Sequence, residues 1–273
     1  MNIKDIIISN NFRYKKSLGQ NFITDMNLLR AVAADSGAGK DDTVVEIGAG
    51  AGGLTLALSE AAGKVCAFEV DNSLESILKE TLKDCANTQV IFKDVLKMSD
   101  AEIAEIAGES FCVAANLPYY ITTPLIMRFL ESSLGVKSLT VMVQKEVAER
   151  ITARHNTKEY SSITLAVDFY ADAEIKRIVG RNMFFPVPNV DSALLKLTVV
   201  PDKYKVKNKE KFLKFLNSAF YMRRKTFANN LNAVFGLEKE KIGQILSDCG
   251  YSQSIRGEAL AMADFLKLYE RIF

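Results

Sequence analysis

The stretch Thr43-Val44-Val45-Glu46-Ile47-Gly48-Ala49-Gly50-Ala51-Gly52-Gly53-Leu54 decides the fold class of this chain. Its first five residues are a short, largely apolar and β-branched run, which predicts a strand. The glycines from Gly48 to Gly53 predict a tight turn, and the pattern from Leu54 to about Ala62 predicts a helix. Glycines at a helix start let backbone N–H groups come close to a ligand. The unit then recurs. Residues 65–70 form an apolar strand ending in Glu69-Val70-Asp71. Residues 89–92 lead into Lys93-Asp94-Val95, and residues 111–115 into Asn116-Leu117-Pro118-Tyr119-Tyr120. Strands alternating with helical patterns predict an open α/β sheet. In such sheets ligands bind beyond the carboxyl ends of the strands, so Gly48, Gly50, Glu69, Asp94 and Asn116 are candidate site residues.

Each of these residue types suits one chemical task. Pro118 fixes its own φ and biases Leu117 towards extended geometry, which points the Leu117 carbonyl outwards. Asn116 Oδ1 and that carbonyl can accept both protons of an exocyclic amine, while Tyr119 stacks on its ring. An ordinary strand-to-helix turn is the other reading of the same residues. Glu69 lies about 20 residues beyond Gly48, where a carboxylate can accept both hydroxyls of a ribose. Asp94 can accept from an adenine amino group, and Gln20 and Asn21 offer amides to a ligand. Gly48, Gly50 and Gly53 also match the dinucleotide fingerprint, a weak signal alone. Glu46 would be a poor neighbour for a pyrophosphate, and Asp94 and Asn116 supply acceptors rather than phosphate-binding cations. A cationic, phosphate-free cofactor such as S-adenosylmethionine fits better. Phe184-Phe185-Pro186-Val187-Pro188 is a stiff aromatic loop, either a packed connector or a second stacking wall opposite Tyr119.

Composition sets the outer limits. The chain has 273 residues, 48% hydrophobic and 25% charged, as expected of a soluble protein with a real core. It contains no run of 18 apolar residues, so no membrane span is expected. Residues 1–16 lack the layout of a secretory signal, and the four cysteines are scattered, which points to a reduced, cytoplasmic setting. His155 is the only histidine, which argues against a histidine triad or a multi-histidine metal site. A monomer without a metal is expected. Residues 201–273 hold 14 Lys and Arg against 8 Asp and Glu, a charge of +6, whereas residues 1–200 carry −4. After a charged linker at residues 201–209, helical spacing recurs at Phe212, Phe215 and Leu216, then Phe227 and Leu231, then Phe265 and Leu268. This predicts two domains, 1–200 and 201–273, the second all-helical. Arg223-Arg224-Lys225 joins two of its helices. These cations either contact a polyanion, aided by Arg13, Lys15 and Lys16, or pair with acids such as Glu258 and Asp264.

Taken together and in order, these pieces resemble the small-subunit ribosomal RNA adenine dimethyltransferases. The match runs through Leu18-Gly19-Gln20-Asn21-Phe22, Glu46-Ile47-Gly48-Ala49-Gly50, Glu69-Val70-Asp71, Asp94 and Asn116 to Tyr120. It continues through Phe184, Pro186, Pro188, Asp191-Ser192-Ala193 and Arg223-Arg224-Lys225-Thr226. Ser161 stands where the family often has glycine, and Val187 where proline is common. The resemblance implies a Rossmann-like class I methyltransferase with a seven-stranded, mostly parallel sheet and a small helical C-terminal domain that binds rRNA. It places Asn21, Ile23, Gly48, Glu69 and Asp94 around S-adenosylmethionine and Asn116 at the methyl-transfer site. The implied partner is the small ribosomal subunit precursor and its rRNA. Two alternatives stay open: a large-subunit rRNA adenine methylase, and a ribosome-assembly or transcription factor that keeps the fold without the chemistry.

Overall fold

The structure, a computed structural model, describes residues 3–10, 12 and 20–273. Arg13, Lys15, Lys16, Leu18 and Gly19 lie outside the described residues. In chain order come α1 (Ile3–Ser9), β1 (Phe22–Ile23), α2 (Met26–Ser36), β2 (Thr43–Ile47), α3 (Gly53–Ala61), β3 (Lys64–Glu69), α4 (Glu75–Thr81), β4 (Thr88–Phe92), α5 (Asp100–Ala107), β5 (Ser110–Asn116) and α6 (Tyr119–Leu130). They are followed by β6 (Gly135–Gln144), α7 (Lys145–Ile151), α8 (Ser162–Asp168), β7 (Ala171–Val179), β8 (Phe184–Phe185), β9 (Ser192–Val199), α9 (Lys209–Ser218), α10 (Phe227–Phe235), α11 (Lys239–Asp248) and α12 (Met262–Ile272).

Seven strands form one sheet in the order β4-β3-β2-β5-β6-β9-β7. Strands β2 to β6 pair in parallel, and β9 runs antiparallel to β6. The expected seven-stranded α/β architecture is therefore present. The order reverses between β2 and β5, so a crevice opens beyond the ends of these two strands. Side chains alternate across the sheet. Val44, Ala67, Cys112 and Ala114 join a buried cluster with Leu29 and Leu58 of α2 and α3. On the other face Phe111 meets Phe129 of α6 edge-on, with ring centroids 6.4 Å apart. The Cys66 thiol on that face lies 3.6 Å from the Ile106 carbonyl of α5.

Local signals account for the element ends. Asp25 caps α2 by accepting from Asn27 N and Leu28 N, and Gly37 closes it at φ 73°. The turn after β5 is short, and α6 begins at Tyr119. Pro118 supplies the helix-opening φ of −52°, and Thr122 Oγ1 donates to its carbonyl at 3.2 Å. Pro124 then sits within the helix and removes a single backbone bond.

The chain divides into two compact units, Met1–Ala148 with Ala173–Val199, and Glu149–Asp172 with Val200–Phe273. Residues 149–172 belong to the second unit together with the residues from Val200 onward. Specific bonds hold them there. Tyr160 Oη donates to Leu260 O at 2.9 Å, and Val200 N donates to Tyr170 O at 2.9 Å. Lys203 bridges Asp168 at 2.7 Å and Asp172 at 2.8 Å. The unit's core is aromatic. Phe215 has Phe227, Phe265 and Tyr269 around it, with centroids 5.5–6.0 Å away.

Candidate active site

The glycine turn after β2 is shaped by its neighbours. Ile47 pairs with Ala115, which brings Gly48 beside the Asn116 end of β5. Gly48 has φ +79°, and a Cβ there would meet Leu117 Cδ2 at 2.6 Å. Gly50 has φ +57°, and a Cβ there would meet the Phe22 ring at 2.7 Å. Only glycine meets both demands. Gly48 N and Ala49 N donate to Phe68 O at 2.8 and 3.1 Å, which ties the turn to β3. Glu69, at the end of β3, braces it further. Its Oε2 accepts from Gly50 N at 2.8 Å, and its Oε1 accepts from Val70 N and Asp71 N at 2.7 and 2.8 Å.

One cavity lies at the switch point. Gln20, Asn21, Ile23, Gly48, Gly50, Glu69, Asp94, Asn116, Leu117 and Pro118 all line it. Gln20 is oriented by Asp71, donating from Nε2 to Oδ2 at 2.9 Å. Asp94 caps the turn after β4, accepting from Leu96 N at 3.1 Å and pairing with Lys97 at 3.3 Å. The lining also includes Glu46, Lys93, Leu96 and Tyr120, which the sequence reading did not place in the site. Lys93 adjoins Asp94, so its position beyond a strand end was the available signal.

Glu46 is the unusual group. It is 1% exposed, and its Oε2 has no hydrogen-bond partner. Thr55 Oγ1, also without a partner, lies beside it and does not close a well-formed bond. Burial pushes the Glu46 carboxyl up to about 8; nearby Thr55 opposes the rise and the Glu69 charge adds to it. An orphaned acceptor facing a cavity is an energetic liability unless a ligand donor or cation meets it.

Asn116 Nδ2 donates to Asn21 O at 3.3 Å. That bond orients the amide and leaves Oδ1 without a donor among the described residues. Tyr119 does not line the cavity; its hydroxyl is held 2.8 Å from Ser192 Oγ at the start of β9. The expectation that Phe184 stands open as a stacking wall is corrected. Phe184 is 3% exposed inside the core cluster, because β8 pairs with β1 and sets Phe184 against Ile23. The exposed aromatics of these two segments are Tyr120 and Phe185, 66% and 43% exposed. Sequence alternation could not choose between adjacent aromatics without knowing the β1–β8 register.

In the second unit Arg223, Arg224 and Lys225 are exposed on the turn between α9 and α10. Among the described residues neither arginine pairs with Glu258 or Asp264. The Asp264 carboxylate instead accepts from Tyr251 Oη at 2.5 Å and Ala261 N at 2.9 Å. Arg223 donates from Nη2 to the Lys158 carbonyl. Among the described residues no group of three or more His, Cys, Asp or Glu is placed to hold a metal.

The family model described as "Ribosomal RNA adenine dimethylase" matches residues 11–272. A "Ribosomal RNA small subunit methyltransferase A" of Clostridioides difficile (strain 630) is 41% identical over 265 residues, spanning 96% of this chain and 92% of that protein. A solved dimethyladenosine transferase from Plasmodium falciparum superposes with a TM-score of 0.75 at 25% identity, over 91% of this chain and 96% of that one. A 23S rRNA methyltransferase, ErmE, superposes with a TM-score of 0.73 at 24% identity, over 92% and 98% of the two chains, and speaks for the fold alone.

Proposed function

The chain belongs to the ribosomal RNA adenine dimethylase family, and from that premise we propose how it works. It transfers methyl groups from S-adenosylmethionine to N6 of two adjacent adenines near the 3′ end of small-subunit rRNA, during ribosome assembly. The small-subunit assignment draws on the bacterial relative, whose name specifies that subunit. The protein acts as a monomer in the cytoplasm on a precursor of that subunit. The first unit is the methyltransferase domain, and the second carries the rRNA-binding surface.

The cavity lining fits this cofactor. The carboxylates Glu69 and Asp94 and the buried carboxyl of Glu46 line it against one lysine, Lys93, an acceptor set suited to a cation rather than a pyrophosphate. The orphaned Glu46 oxygen is the acceptor a positively charged ligand would satisfy. Glu69 holds a ribose hydroxyl. With Oε1 already accepting two backbone N–H groups and Oε2 one, by lone-pair count a single acceptor site remains, on Oε2. This revises the expectation that Glu69 takes both hydroxyls. Asp94 accepts from the cofactor's adenine amine, and Gln20, Asn21, Ile23, Gly48 and Gly50 complete the wall.

The bound cofactor supplies an electrophilic methyl group on a sulfonium. The protein's own task is to present the nucleophile. The lone pair of adenine N6 is delocalised into the ring. Asn116 Oδ1 and the Leu117 carbonyl accept its two protons, which favours a pyramidal nitrogen with a localised lone pair. No basic side chain is needed, because the nitrogen becomes strongly acidic only after it attacks and then sheds its proton to water. Catalysis is then positioning and electrostatics. The target adenine leaves its stack to reach the pocket and regains stacking on an aromatic, worth about 1–3 kcal/mol per base. Tyr119 and Phe184 serve this step only after rearranging; Tyr120 and Phe185 are already exposed.

The observation that carries the reading is the Asn116 amide, turned by Asn21 so that its oxygen is left for substrate. Asn116→Ala is expected to keep cofactor affinity while turnover falls on the order of a hundredfold or more. The assay is methyl transfer to immature small subunits, with large-subunit RNA as the comparison. Near-normal dimethylation by the variant would reject the mechanism, and preference for large-subunit RNA would reject the substrate.

A further inference from the structure

Residues 20–23 form one wall of the cavity without belonging to the seven-stranded sheet. Phe22 and Ile23 make up β1, which pairs with β8 in a separate two-stranded sheet. A ribbon this short has little stability of its own. The Phe22 and Ile23 side chains, 8% and 5% exposed, anchor one end of the segment in the core. The other end, Gln20 and Asn21, is only half-buried and is held by long-range bonds. Gln20 Nε2 donates to Asp71 Oδ2 at 2.9 Å, across 51 positions, and Asn21 O accepts from Asn116 Nδ2 at 3.3 Å, across 95 positions.

Asp71 does more than cap a turn. It is 3% exposed, and its Oδ1 accepts from Ser73 N at 3.0 Å and Ser73 Oγ at 2.6 Å, which caps the turn at Asn72–Leu74. A cap needs no more than that one oxygen. The second oxygen is turned to Gln20. Only a carboxylate offers two oxygens that both accept, so an asparagine here could not serve Ser73 and the Gln20 donor together. The backbone of Asp71 is engaged as well, donating from N to Glu69 Oε1 at 2.8 Å. One residue therefore touches both the carboxylate proposed for the cofactor ribose and the segment that aims Asn116.

We infer that Asp71 is a positioning residue for methyl transfer. Through Gln20 it fixes the Asn21 carbonyl, and that carbonyl fixes the Asn116 amide. The second bond has little slack. At 3.3 Å it already exceeds the ordinary N–H···O range of about 2.7–3.2 Å, so a shift of a few tenths of an ångström breaks it. An amide released from Asn21 can turn its nitrogen, a donor, towards the N6 protons that need an acceptor. Asp71 thus ties the cofactor wall to the site that receives the adenine. This role rests on the proposed function of Asn116 as an acceptor for N6.

The test uses the full-length protein, saturating S-adenosylmethionine and immature small subunits. Asp71→Ala is expected to lower kcat by roughly 10- to 100-fold, as a misplaced reacting group does, with KM for the small subunit unchanged. In a Gln20→Ala background Asp71→Ala should cost nothing further, because residues that act through one another are not additive. Ser73→Ala removes one bond of the cap and is expected to keep wild-type kcat. Gln20→Met keeps the side-chain length without the donor, so it reports on the tether even if Asp71→Ala fails to fold. Heteronuclear NMR of the cofactor-free protein gives a readout without catalysis. The side-chain amide pair that vanishes in Asn116→Ala is expected to shift in Gln20→Met and Asp71→Ala and to stay in place in Ser73→Ala. Wild-type kcat in Gln20→Met, an unmoved Asn116 resonance in that variant, or a full further loss from Asp71→Ala in the Gln20→Ala background would each overturn the role. A resonance that moves as expected while Asn116→Ala still dimethylates normally would count against the proposed function and not against the tether.

Discussion

Asn116 and Glu46 line the same cavity and are opposite in character. Asn116 is a neutral amide whose nitrogen is committed to Asn21. Glu46 is a carboxyl with an oxygen committed to nothing. The second has a pH signature. Its folded-state pKa is raised from 4.5 to about 8. Between those values the folded protein holds a proton that the unfolded chain releases, so this group's contribution is complete below 4.5 and lost as pH rises through 8. Glu46→Gln is neutral at every pH. The fall in melting temperature of the cofactor-free protein from about pH 5.5 to about pH 8.5 is expected to be smaller in that variant, at about 2–4 °C per kcal/mol. Parallel curves for the two proteins would show that Glu46 is charged throughout. In wild type a cationic cofactor should also bind more tightly as pH rises through this window, because it favours the ionised carboxyl.

At the scale of elements, the turn between β2 and α3 carries the most constraint. Gly48 has a positive φ and a Leu117 methyl where a Cβ would go. Gly48→Ala should therefore lower stability by about 1–2 kcal/mol from the backbone alone. It should also displace Leu117, whose carbonyl is one of the two proposed N6 acceptors. Calorimetry would show weaker cofactor binding together with reduced turnover. A variant with wild-type affinity and rate would mean that the turn tolerates a side chain and that Leu117 does not need its present position. The turn is also where the sequence was easiest to read, since a glycine cluster between a strand and a helix has few conformations.

Over the whole molecule charge is unevenly distributed, with +6 on residues 201–273 and −4 on residues 1–200. That asymmetry steers a polyanion towards the basic end. Replacing Arg223, Arg224 and Lys225 together by alanine is expected to weaken binding to small ribosomal subunits and to flatten its salt dependence by up to about three units of log–log slope. A modest fall in melting temperature should accompany it, because Arg223 also holds the Lys158 carbonyl. A lowered melting temperature with an unchanged slope would make the cluster structural.

The sequence by itself determined the elements and most of the cavity lining. Strand and helix periods are local, Asp25 and Gly37 cap a helix through neighbours a few residues away, and the ends of successive parallel strands must converge on one edge of the sheet. Gly48, Gly50, Glu69, Asp94 and Asn116 could be read from those rules, and all five line one cavity, whereas the candidates Tyr119 and Phe184 do not. Tertiary structure alone decided which partner each side chain takes. Tyr160 bonds to a carbonyl 100 positions away, and Arg223 to one 65 positions away. The pairing of Ile23 with Phe184 buries the aromatic that the sequence presented as open. Nothing local distinguishes Phe184 from Phe185, or a solvated Arg223 from one that holds a distant carbonyl. Many partners satisfy the same donor equally well in the unfolded chain, and only the packed chain leaves one within reach.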